Sequence, residues 1–156
     1  MNTRINLPAY EMKIREEGNT KQIFDPIRKK YVALTPEEWV RQHFINLLVT
    51  HKNYPMGLLA VEHPVKVNNM QQRVDIVAFN KQGKPTLVVE CKAPEVKLTR
   101  ETYAQAARYN LSLKANYLVV TNGVTHFCSK IDNESKKFYP LTDIPQYGQL
   151  SEEENR

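Results

Sequence analysis

A mixed α/β fold, one sheet flanked by helices, is what this sequence predicts, and three observations predict it. Helix-start chemistry at Thr35-Pro36 opens an amphipathic segment. Two runs rich in β-branched residues, Gln72–Phe79 and Lys84–Pro94, flank the turn residues Asn80–Gly83 and read as a hairpin. A helical stretch from Thr99 then separates that hairpin from a further apolar strand, Asn116–Thr121. The predicted order is helix, three strands, helix, two strands. With 156 residues and 41% hydrophobic content the chain is the size of one domain and can bury a core.

Each element has its own warrant. Residues 1–33 read as an N-terminal extension packing on the core, with strands near 10–15 and 30–34 around Gly18-Asn19. The first helix should run from Pro36 to about Thr50: Thr35 is the N-cap, Pro36 takes the first helical position, and Glu37 and Glu38 face the positive end of the dipole. Its apolar face is Val40, Phe44, Leu47 and Leu48; at 3.6 residues per turn Glu37 falls on that face and Glu38 is turned away. Leu58–Val67 reads as the next strand, where Pro64 requires an edge position or a bulge, and Asn68-Asn69 reverses the chain into the hairpin. Leu87–Glu90 is nearly continuous in apolar residues, the mark of a strand buried on both faces. The second helix, Thr99 to about Lys114, is a crossover, so the strands it joins should be parallel neighbours. Asn122-Gly123 should turn tightly into Val124–Cys128. The core domain is thus expected over 34–140, with 141–156 an acidic, flexible tail.

Chemistry concentrates on the hairpin. Strand alternation points Glu90 and Lys92 to one face and Cys91 to the other, and Asp75 on the preceding strand can face the pair. Two carboxylates with a backbone carbonyl, naturally that of Cys91, suffice for a magnesium ion, which keeps several waters; manganese is the natural substitute. A lysine beside them can orient the attacking water. That combination points to a nuclease, against the plain alternative that Asp75 pairs with Arg73 or Lys92 at the surface. Burial at the end of an apolar strand favours the former, because charges are seldom placed there without a partner or a metal.

These residues carry a resemblance. The chain resembles the PD-(D/E)xK nuclease superfamily, and most closely the N-terminal nuclease domain of type I restriction enzyme R subunits. It does so through Leu34-Thr-Pro-Glu-Glu-Trp-Val-Arg-Gln42, Arg73-Val-Asp-Ile-Val77, Val89-Glu-Cys-Lys-Ala-Pro94, Gln105-Ala-Ala-Arg-Tyr109 and Val120-Thr-Asn-Gly123, in the family's order over roughly residues 20–128. The resemblance implies a restriction-endonuclease-like αβββαβ core and a Mg2+-dependent deoxyribonuclease. Asp75, Glu90 and the Cys91 carbonyl would hold metal, and Lys92 would be catalytic. An acid of the first helix would complete the site, Glu37 before Glu38, with Gln105 beside the metal-binding acids; Tyr109, four residues on, reads as a helix-positioning residue. The competing reading packs Tyr103, Ala106, Tyr109 and Leu113 on the sheet with Gln105 incidental. Restriction subunits continue into a helicase motor whereas this sequence stops at Arg156, so translocation is expected elsewhere. The alternative function is a non-catalytic DNA-binding or assembly module acting only with a separate motor or specificity partner.

Composition supports DNA as the partner, with a homodimer or separate restriction-system subunits as further partners. The net charge is +5, and because the last six residues hold three acids against one base, residues 1–150 carry +7. Candidate phosphate contacts are Arg28, Lys29, Lys30, Lys52, Lys97, Arg100 and Arg108. Two distant cysteines, with no secretory signal and no long apolar stretch, suit a cytoplasmic protein without a membrane segment. His43, His51, His63 and His126 show no metal-ligand spacing.

Overall fold

Two sheets and three helices make up the fold, described for residues 5–154 in a computed structural model, with side chains placed as far as residue 150. Residues 1–4 of the extension and 155–156 of the tail lie outside the described residues. A three-stranded antiparallel meander comes first, β1 (Ile14–Glu17), β2 (Thr20–Asp25) and β3 (Lys30–Ala33). Helix α1 (Pro36–Asn46) follows. The main sheet then runs in spatial order β4 (Leu59–Val67), β5 (Met70–Phe79), β6 (Pro85–Cys91), β7 (Tyr117–Thr121), β8 (His126–Asp132) and β9 (Lys137–Leu141). Helix α2 (Arg100–Leu113) links β6 to β7, and α3 (Tyr147–Glu154) closes the chain.

The predicted devices operate as read. Thr35 Oγ1 accepts the Glu38 amide at 3.0 Å, and Pro36 opens α1. Asn68 and Asn69 both adopt positive φ, 53° and 63°, which is what a two-residue hairpin turn between Val67 and Met70 demands. Pro64 sits on β4, an edge strand, where no ladder donor is lost. Strand β6 is buried from Thr86 to Cys91 and pairs in parallel with β7, Val89 opposite Val119, as the crossover requires. Its two faces serve two cores. Leu87, Val89 and Cys91 pack with Phe44 and Val40 of α1, while Val88 packs with Ala106 of α2.

Four expectations need correction. The helical run from Pro36 does not stay α-helical to Thr50: from Leu47 to His51 it widens to a π turn, closed by the Lys52 amide on the Leu47 carbonyl at 3.1 Å. Nor is α1 amphipathic, since Glu38 through Ile45 are all buried. The reason is tertiary: the N-terminal region covers the helix's outer side, Tyr10 lying edge-on to His43 and Arg28 reaching Glu38. The turn after β7 spans four residues rather than two, because Asn122 Oδ1 accepts the amides of both Val124 and Thr125 and delays β8 to His126. Finally, residues 141–150 do not fray. Ile144 and Leu150 join the α1-side core, Tyr54 Oη donates to the Pro145 carbonyl at 2.9 Å, and Lys52 pairs with Asp143 at 2.9 Å. Among the described residues no helix is long and apolar enough to cross a membrane.

Candidate active site

Asp75 and Glu90 meet where the β5–β6 ladder ends. The last antiparallel pair is Ile76 with Val89, so one residue further the backbone amides turn to side chains. Asp75 N donates to Glu90 Oε1 at 3.2 Å, and Cys91 N donates to Asp75 Oδ2 at 2.7 Å. Each carboxylate is thereby fixed by the opposite strand's backbone. Lys92 follows at the end of β6, its amide bonded to the Thr121 carbonyl at 2.8 Å, and its positive charge bears on both acids. The Cys91 thiol is fully buried, and burial followed by the Asp75 charge holds it well above its usual range, so the residue serves through its backbone.

The pair is short of positive charge. Burial, reinforced by the Asp75 carboxylate, pushes Glu90 up to about 8. Asp75 is raised by burial too, against the pull of the Cys91 amide and the Arg41 guanidinium. Two neighbouring carboxyl groups, each raised by burial, are groups whose ionised form a divalent cation would stabilise. Among the described residues no three His, Cys, Asp or Glu side chains form a ready-made cage. Asp75 and Glu90 are hard oxygen donors, of the kind that divalent cations such as magnesium take.

The acids of α1 divide differently from the periodicity argument. Glu37 is exposed at the helix start, with its charge close enough to raise Asp75 and Cys91. Glu38 is buried, not turned away from the protein. Arg41 grips it twice, Nη2 to Oε1 at 2.6 Å and Nε to Oε2 at 2.9 Å, and Arg28 Nη2 and Gln42 Nε2 add bonds at 2.7 and 3.2 Å. Burial alone would raise Glu38, but the Arg41 bonds and charge outweigh it and hold the carboxyl at about 2. Arg28 is likewise committed to Asp25 and Glu38, and Lys52 to Asp143, so neither is the free phosphate contact expected.

Arg41 and Glu62 are the site residues that sequence reading missed. Arg41 Nη1 reaches Asp75 Oδ1 at 3.0 Å, coupling the Glu38 network to the hairpin acids. Its i,i+3 spacing from Glu38 was the available signal. Glu62 falls where the β4–β5 ladder skips a pair, between Val61–Ile76 and His63–Val74, with φ +53° and its carboxylate 3.4 to 3.7 Å from Arg73, Arg28 and Arg41. A left-handed glutamate within an edge strand leaves no sequence signature. Gln105 lies on α2, exposed, and makes no hydrogen bond with Asp75 or Glu90. Tyr109 packs half-buried with Tyr103 and Leu113 against the α2-side core.

Residues 36–145 match the family model described as type I restriction enzyme R protein N terminus, which is more than half of the sequence. The chain belongs to that family. Among solved structures, this chain is similar to a fragment of a proposed HsdR subunit of a type I restriction enzyme from Vibrio vulnificus YJ016. The TM-score is 0.50 at 18% identity over 72% of this chain, and it spans only 24% of that one. It is also similar, at TM-score 0.47 and 12% identity over 88% of each chain, to a proposed nuclease of the DUF820 group from Anabaena variabilis ATCC 29413. No curated protein matches. The first likeness shows the fold, the restriction-endonuclease-like αβββαβ arrangement from α1 to β7. The R-protein match contains Glu37, Asp75, Glu90, Lys92 and Gln105 but not the β1–β3 meander, so Asp25 and Arg28 brace α1 from outside it.

Proposed function

We propose that this chain is a divalent-metal-dependent DNA endonuclease of the PD-(D/E)xK type. The observation that carries the reading is the cross-bonded pair of half-buried Asp75 and buried Glu90 with Lys92 beside it. In this reading Asp75, Glu90 and the Cys91 carbonyl would hold Mg2+, or Mn2+ in its place, and Glu37 would supply a further acid at the rim. The bound ion would activate water and stabilise charge developing on the scissile phosphate. Lys92 would orient an attacking water and face the phosphate, while Cys91 N and Arg41 hold Asp75 in place. Gln105 enters on the resemblance alone.

Purified protein is expected to cut DNA with Mg2+ or Mn2+, and Asp75→Ala or Lys92→Ala should lower the rate by at least about a hundredfold. Cutting that survives both substitutions, or no cutting under any divalent ion, ends this reading. DNA, restriction-system partners and a cytoplasmic setting belong to the same proposal.

One observation favours a second reading. Both Asp75 oxygens already hold donors, Arg41 and the Cys91 amide, as would suit a non-catalytic DNA-binding or assembly module that acts with a separate motor or specificity partner. A mobility shift without cleavage, indifferent to Asp75→Ala, would select it.

A further inference from the structure

Helix α2 leaves part of the main sheet uncovered. It lies against β4, β6 and β7, while the β8–β9 hairpin extends past it. Between α2 and that hairpin run two cavities of about 500 and 680 Å³, which share Arg100 and Tyr103 and so form one trough. One end is at His126 and Phe127, the other at Lys114 and Lys136.

Topology fixes where the trough begins. The crossover returns α2 against the direction of β6, so Arg100 lies at the strand end that carries Glu90 to Lys92, and His126, opposite Thr121, lies there as well. The trough thus starts beside the candidate site and follows α2, 14 residues and roughly 21 Å long, away from it.

Its lining has a definite chemical character. Arg100, Arg108, Lys114 and Lys136 are exposed along it and make no ion pair among the described residues. No aspartate or glutamate lines either cavity; Glu134 borders a different hollow on the hairpin. Phe127 and Phe138, 42% and 40% exposed, are large aromatic rings left open to solvent, and Phe138 stands edge-on to Tyr103 at 5.6 Å. Cations without counter-charges ask for a polyanion, and exposed rings between them ask for flat faces to stack on. A single strand of nucleic acid offers both, whereas a duplex keeps its bases inside.

We propose that the α2–β8–β9 trough binds single-stranded DNA running from the candidate active site, with phosphates along the arginines and lysines and bases on Phe127 and Phe138. The choice of DNA rests on the nuclease reading, but strand binding needs neither metal nor cleavage. Failure of one is therefore separable from failure of the other.

The test is fluorescence anisotropy of a labelled oligothymidylate with the full chain in EDTA, beside labelled oligouridylate and polyglutamate. Oligothymidylate is expected to bind, Phe138→Ala to weaken it about tenfold, and Arg108→Ala/Lys114→Ala to reduce the slope of log K against log salt by about 1.4. These positions are exposed, and circular dichroism would confirm the fold of each variant. No binding of oligothymidylate, binding unchanged in both variants, or tighter binding of either competitor would overturn the inference. Tighter polyglutamate binding would mark the trough as a seat for an acidic protein segment.

Discussion

Two glutamates of nearly equal burial, Glu38 at 5% exposure and Glu90 at 7%, are shifted in opposite directions. Glu38 is kept at about 2 by two arginines and a glutamine amide, whereas Glu90 is pushed to about 8 with a backbone amide and a neighbouring aspartate for company. Burial alone does not set the charge; the donors that come with it do. One arginine, Arg41, spans both settings, saturating Glu38 and offering a single bond to Asp75. The α1 network is thus a closed ion cluster that braces the helix, and the hairpin pair is an open one that would gain from a further cation.

The comparison is broken hardest at Arg41. Arg41→Ala would leave Glu38 buried with less compensation and Asp75 with one anchor fewer, and should cost about 3–5 kcal/mol in urea denaturation. A loss under about 1 kcal/mol would mean that Arg28 alone satisfies Glu38 and that the cluster is not closed as described.

Next comes Glu90→Gln, with the opposite sign. Because folding raises Glu90, its contribution to stability is full below about pH 4.5 and is lost as pH rises toward 8. Glutamine removes that loss, so the variant should be about 1 kcal/mol or more stabler than wild type at pH 8 and level with it near pH 4. On the nuclease reading, Mn2+ should raise the melting temperature of wild type and leave Glu90→Gln unmoved. Equal shifts in both would place the ion elsewhere.

Glu38 has the reverse profile. Folding lowers it from 4.5 to about 2, so its stabilisation is present above pH 4.5 and disappears as pH falls toward 2. Glu38→Gln should flatten that part of the acid-unfolding curve, measured by circular dichroism. The smallest effect is on stability at Glu37, where Glu37→Gln should stay within about 0.5 kcal/mol while lowering Mn2+ affinity or cleavage. A substantial stability loss there would make it a structural acid like Glu38.

The sequence was most legible where local chemistry and the final environment agree. Thr35, Pro36, Asn68-Asn69 and the apolar run Leu87–Val89 each carry their structural meaning within a few residues, and the structure uses them as read. Legibility failed where a distant segment changed the environment. The burial of Glu38 depends on the meander and on Arg28, ten residues upstream, and the ordering of residues 141–150 depends on Tyr54 and Lys52, about ninety residues away. A low-hydrophobicity stretch reads as tail because its two anchors, Ile144 and Leu150, have no visible partner in their own neighbourhood.

The candidate site shows the same division. Spacing alone determined that Asp75 and Glu90 can meet on a hairpin with Lys92 close by, since a strand's period and a short turn fix which residues are opposed. Only the tertiary structure decided that Arg41 bridges to Asp75, that Glu62 enters with a left-handed backbone at the gap in the β4–β5 ladder, and that Glu38 is closed off while Glu90 is left open. The physical reason is range. Strand pairing is set by neighbours along the chain, but the charge state of a buried acid is set by every donor the fold gathers around it.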